Sequence, residues 1–165
     1  MSEANSYSVA VIMGSKSDEA IVRPCVEILD KLGIKTLFTV SSAHRTPERT
    51  EKLVATLESS GCKVFICAAG MAAHLAGAVA ARTVRPVIGI PVAAGTLGGL
   101  DALLSTVMMP AGFPVATVAL DKAGARNAAW MAAQILALSD KKLEYKIRAA
   151  RKEMAEEVEK SAAEL

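Results

Sequence analysis

Five short β-forming runs, at residues 8–13, 35–40, 63–67, 86–90 and 115–120, alternate with segments of helical length. That alternation limits the folds open to this chain more than any other feature. Most of the runs are continuously apolar (SVAVIM and KVFIC among them), as expected of strands covered on both faces. Residues 19–32 place Ile21, Cys25, Ile28, Leu29 and Leu32 at helical spacing, with Gly33 as a stop. Pro24 falls inside that span and predicts a kink or a late start. Thr46 and Pro47 supply an N-cap and a first helical position for 47–59, which ends at Gly61. Helices are also expected over 74–83, 100–108 and 125–138.

Repeated β–α units predict an α/β fold: a parallel sheet with right-handed crossovers and helices on both faces. Five strands favour a flavodoxin-like arrangement, although the pattern leaves the strand order open. The 165 residues suit one domain, with a core over about 8–138 and a long helix over 140–165. In that helix Leu143, Ile147, Ala150, Met154 and Val158 form a narrow apolar stripe, able to pack on its own domain or on a neighbouring subunit. Hydrophobic residues make up 52% of the chain and aromatics only 4%, so aliphatic side chains and alanine must build the core.

Several functional classes fall away. Nineteen basic residues against seventeen acidic ones leave a net charge of +2, and few aromatics are present to stack on bases, which argues against nucleic-acid binding. Cys25, Cys62 and Cys67 are odd in number and lack CxxC spacing, so buried free thiols are expected rather than disulfides or a zinc site. The first seven residues lack the apolar stretch of a secretion signal, and no apolar run reaches membrane-spanning length. A cytosolic protein is expected.

In an open parallel sheet, ligands bind beyond the carboxyl ends of the strands, so the loops there carry the chemistry. The first strand is followed by Gly14-Ser15-Lys16-Ser17-Asp18, where helix N–H groups and the helix dipole favour an anion. The spacing matches neither a Walker A loop nor a GxGxxG fingerprint, and Ser17 or Asp18 can equally be a simple N-cap. After the second strand come Ser42, His44 and Arg45. Arg45 can grip a phosphate through its planar fork of donors, and His44 can exchange a proton near neutral pH. Capping by Thr46 and Pro47 requires neither of them. After the third strand, small residues around Gly70 let a ligand approach the backbone, and His74 is the second of only two histidines. It fits a site residue or a hydrogen-bonded residue in the first helical turn. Residues 93–99 read equally as tight packing or as a mobile wall, and 121–124 offer little specific. Taken alone, these loops point to a phosphate-ester substrate and acid–base chemistry by histidine, with neither a metal cluster nor a covalent nucleophile.

The succession GSKSD, SAHRTP, AGMAAHLAG and GLDALLSTVMMPAGFPVATVAL resembles the N5-carboxyaminoimidazole ribonucleotide mutases of purine biosynthesis, over about residues 9–138. The SAHRTP hexapeptide is the most specific element. The resemblance implies a three-layer flavodoxin-like fold, a homo-octamer, and no metal or organic cofactor. It also implies an upstream ATP-dependent synthase that makes the carbamate substrate. In the implied reaction, a carboxylate moves from the exocyclic nitrogen of the aminoimidazole to ring carbon C4, through CO2 held in a closed pocket. Ser15, Ser42 and Arg45 would then hold the 5′-phosphate and Asp18 the ribose. His44 would be the proton shuttle, and His74 with Gly70 would line the carboxylate side.

The chain departs from the family pattern at Ala68, Met71 and Ala76, which replace two glycines and a proline, and at Met108, which replaces a glutamine. These changes bear on the positioning of the 70s loop. A related branch that carboxylates aminoimidazole ribonucleotide with free CO2 has an AGRSN-like third loop, so His74 argues for the mutase. A non-enzymatic flavodoxin-like module, for example a flavin carrier, would be yellow and would offer His44 no role.

Overall fold

The computed structural model describes residues 6–164. The start of the N-terminal segment and the predicted last residue of the tail helix, Leu165, lie outside them. Five parallel strands, β1 (Val9–Met13), β2 (Thr36–Val40), β3 (Val64–Gly70), β4 (Val87–Val92) and β5 (Ala116–Thr117), lie in the order β2-β1-β3-β4-β5. The helices are α1 (Glu19–Leu32), α2 (Pro47–Ser59), α3 (Leu75–Ala80), α4 (Leu100–Val107), α5 (Asp121–Ala137) and α6 (Lys141–Ala163). This is the flavodoxin-like order, and the sense of winding reverses between β1 and β3.

Strand alternation sorts the core onto two sides of the sheet. Val9, Val11, Val64, Ile66, Ile88 and Ile90 face α1, α5 and the start of α6. Ala10, Ile12, Phe65 and Cys67 face α2 and α3. β1, β4 and the first five residues of β3 are buried throughout, as their unbroken apolar runs require, whereas β2 is only half-buried along its length because it is an edge strand. Arg49 from α2 donates through Nε to the Val40 carbonyl at that edge.

Several boundaries differ from expectation. α1 runs through Pro24 without a break, and the carbonyl deprived of its partner belongs to exposed Ala20 in the first turn. β3 continues past Cys67 to Gly70, so Ala68 is fully buried core and not loop. β4 extends past Pro91 to Val92, but β5 pairs over only two residues of the expected six. The extension of β4 follows its pairing with β3, where Pro91 lies opposite Ala69 and Val92 opposite Gly70, and the early stop of β5 has a cause of its own. Val118 N–H donates to the Gly89 carbonyl, so alternate residues of β4 address β5, and Pro91 is the next in that series. It has no N–H to offer, and the outer ladder stops there.

α3 is shorter than the expected 74–83, whereas α5 begins at Asp121, four residues before expectation. Gly124 makes that early turn possible: a Cβ there would overlap the Ala119 carbonyl. The N-terminal half of α6 docks on α5 and α1 through buried Leu143 and Ile147, while Met154 and Val158 further along the stripe are exposed. Lys146 Nζ donates to the Leu32 carbonyl at 2.7 Å, satisfying an end group of α1.

Candidate active site

A cleft of about 570 Å³ opens at the carboxyl ends of β1 and β3, where the winding reverses. All seven residues singled out by sequence meet in it: Ser15, Asp18, Ser42, His44, Arg45, Gly70 and His74. Gly14, Ser17, Ala43, Met71 and Ala73 are among the further lining residues, and Ala94 brings in the 93–99 loop as a wall.

The turn after β1 is a single 3-10 turn, Lys16–Asp18. Capping falls to Ser15, whose Oγ accepts the Ser17 N–H at 3.3 Å and lies 2.9 Å from the Ser17 hydroxyl. Asp18 occupies the N-cap position of α1 but makes no cap bond with its side chain, contrary to one reading of the sequence. Its carboxylate is buried with the Ser17 hydroxyl 3.2 Å away. Burial pushes its pKa up, against the pull of the Ser17 and Ser15 hydrogen bonds and the Arg45 charge.

Thr46 likewise does not cap α2. Its hydroxyl closes the turn after β2, accepting the Ser42 N–H at 3.0 Å and donating to the Ser42 carbonyl at 3.1 Å. A buried bond between the Ser41 and Thr50 hydroxyls, at 2.8 Å, pins the base of that turn to α2. Ser42 Oγ accepts the Arg45 N–H, and Arg45 Nη2 reaches across to the Gly14 carbonyl at 3.2 Å. A guanidinium, two serine hydroxyls and a helix start therefore converge on one side of the cleft. Those groups together can accept an anion.

The two histidines come from different strand ends and meet. His44 Nε2 lies 2.6 Å from His74 Nδ1, with the rings edge to face and their centroids 4.7 Å apart. One of the two facing nitrogens must carry the hydrogen and the other must lack it, so the contact couples the two tautomers. Both residues are exposed, so a ligand in the cleft can reach them. His74 sits at the N-cap position of α3 without capping it.

The departures in the 70s loop now have physical meaning. Ala68 and Ala76 are buried in the packing and do not line the cleft. Met71 does line it, with φ of 56°, a left-handed backbone that favours glycine. The three cysteines are free and buried; burial pushes the Cys25 thiol up to about 12 and raises Cys62 and Cys67 as well. They are inert core thiols, as expected. No group of three or more metal-ligating side chains occurs among the described residues.

The fold and this cleft define a doubly wound α/β protein with a histidine pair beside a guanidinium and two serine hydroxyls. Residues 8–157 match the AIR carboxylase family, and the chain belongs to it. It is 46% identical over 157 residues to the N5-carboxyaminoimidazole ribonucleotide mutase of Escherichia coli K12, covering 95% of this chain and 93% of that one. The mutase of Methanocaldococcus jannaschii is 48% identical over 150 residues, covering 91% and 92%. In structure the chain resembles Treponema denticola PurE, with a TM-score of 0.87 at 27% identity over 95% of this chain and 97% of that one.

Proposed function

We propose that this chain is an N5-carboxyaminoimidazole ribonucleotide mutase, acting in purine biosynthesis on the substrate class its relatives' names specify. The observation that carries the reading is the His44–His74 pair set against the Ser15, Ser42 and Arg45 cradle in one cleft. The 5′-phosphate sits in that cradle and Asp18 accepts a ribose hydroxyl. This directs the aminoimidazole toward the histidines and Gly70.

The proton balance fits one shuttling group. Breaking the exocyclic N–C bond releases CO2 and leaves the nitrogen needing a proton, which His44 supplies. Ring carbon C4 then attacks the trapped CO2, and its own hydrogen leaves as a proton that returns to His44. Substrate and product are isomers, and the base ends as it began. Holding CO2 beside C4 replaces a bimolecular encounter with a pre-oriented one.

The exposed apolar side chains of Leu100, Leu104, Val107, Met108 and Phe113 favour burial against other copies, in keeping with the octamer that the resemblance implies. No described helix is long and apolar enough to cross a membrane, which fits a cytoplasmic enzyme fed by a carbamate-forming synthase. The test supplies purified protein with the carbamate or, separately, with aminoimidazole ribonucleotide and bicarbonate. Rapid formation of the C4 carboxylate from the carbamate alone is expected. Turnover only from the second mixture would make the chain a direct carboxylase.

A further inference from the structure

Outside the residues already discussed, the described non-glycine residues with positive φ are Ala73, in the 70s loop, and Asp121, at φ 54°. Asp121 is the first residue of α5, and its side chain is committed elsewhere: Oδ1 accepts the Ala93 N–H at 2.8 Å. Ala93 is the first residue beyond β4. It follows Gly89 and Pro91 in the series of β4 residues that address β5, and β5 has already left the ladder. The Asp121 carboxylate therefore takes the place of the missing strand acceptor.

The position of that bond matters. Residues 93–99 form the loop between β4 and α4, and its two ends lie together, since a Cβ on Gly99 would sit 3.0 Å from the Ala93 Cβ. Leu120 packs on Gly99 while Asp121 holds Ala93, so adjacent residues of one segment fasten both ends. The middle of the loop has no comparable anchor: Gly95 and Gly98 both have positive φ, with open space where a Cβ would be. Just past the fastened end, Ala94 lines the cleft and lies against Gly70, where a Cβ would come 2.8 Å from the Ala94 Cβ. Gly70 in turn leads into the segment that carries His74.

We propose that Asp121 is a positioning residue whose carboxylate fastens the 93–99 loop, holding the Ala94 wall against Gly70 so that CO2 stays beside C4. The role of CO2 rests on the mutase reading; the clamp itself does not. A wall displaced by even about 1 Å can cost on the order of 100-fold in a reaction that depends on orientation.

The test uses the full-length Asp121→Ala, Asp121→Gly and Asp121→Asn variants and carbamate labelled in its carboxylate carbon. Asp121→Gly accepts the left-handed backbone freely, so it removes the hydrogen bond without adding strain and guards against a misfolded alanine variant. Asp121→Asn keeps a carbonyl oxygen able to accept from Ala93. In the alanine and glycine variants, hydrogen exchange at the Ala93 amide should speed up, label lost to solution as CO2 should rise about tenfold per turnover, and kcat should fall while KM changes little. Asp121→Asn should restore retention of the label. Wild-type exchange at Ala93 in the glycine variant would overturn the clamp. Faster exchange with unchanged retention would overturn its part in catalysis. A wild-type protein that leaves the carbamate untouched would instead refute the mutase reading, with the exchange result still deciding the clamp.

Discussion

Replacing Arg45 by alanine should weaken substrate binding through the phosphate alone. Within the protein Arg45 makes one side-chain hydrogen bond, at 3.2 Å to the Gly14 carbonyl, and the residue is exposed, so its removal should leave the fold intact. A charge-assisted contact is worth about 1.5–3 kcal/mol. Because the guanidinium faces solvent, the lower half of that range applies, about 1.5–2 kcal/mol, or roughly 10- to 30-fold in affinity. Titration calorimetry on the ribonucleotide product and on its dephosphorylated nucleoside separates this from a general loss of shape. The nucleotide should lose the full factor and the nucleoside almost none. Arg45→Lys should fall between, keeping the charge but losing the planar fork. An equal loss for nucleotide and nucleoside would refute the cradle, as would tight nucleotide binding by the alanine variant.

His44→Asn should cut turnover by about 10²- to 10⁴-fold, with product affinity and thermal midpoint close to wild type; activity within a few-fold of wild type would remove His44 from the proton path. Asp18 is a carboxylate whose folded pKa lies above its unfolded value, so its ionised form burdens the folded state. The burden is absent below about pH 3.9 and grows as pH rises through the folded pKa. Asp18→Asn should therefore gain stability relative to wild type between about pH 4 and 7 while losing substrate affinity; parallel denaturation curves at both pH values would contradict the buried charge. Gly124→Ala forces a methyl into the Ala119 carbonyl, a backbone atom that cannot swing aside. Urea unfolding should show a loss of about 3 kcal/mol or more, and a loss below about 1 kcal/mol would mean the α5 start can relax.

The layer architecture, and the meeting of the seven candidate residues in one cleft, were legible from local chemistry, with the roles proposed for Ser15, Asp18 and Gly70 resting on the family resemblance. Apolar runs report burial, and loop residues fall at strand ends in a parallel sheet whatever the strand order. What escaped was non-local. β5 reads as a six-residue strand in isolation, yet its length is set by a proline on the neighbouring strand. Thr46 and Asp18 look like caps, but neither side chain caps the helix it precedes: one closes the turn after β2 and the other lines the cleft. Asp121 looked uninformative because its partner, Ala93, lies on a different strand end. The contact between His44 and His74 joins residues thirty positions apart, so chain spacing carried no sign of it.

The edges of the sheet carry a consequence for how copies of this protein can meet. An open parallel sheet offers two rows of free backbone groups, each a template on which a foreign strand could grow. Here β5 presents only two paired residues, with Pro114 two residues before them and Pro91 ending the ladder from within. At the other margin the Arg49 guanidinium occupies the last carbonyl of β2, and Arg23 lies over the Phe38 ring, 4.8 Å from its centroid. Cross-strand recruitment, the route to disordered aggregation, is blunted at both margins. The exposed apolar side chains gather instead on α4 and just beyond it, at Leu100, Leu104, Val107 and Met108, a helix surface that offers side chains and no free backbone row.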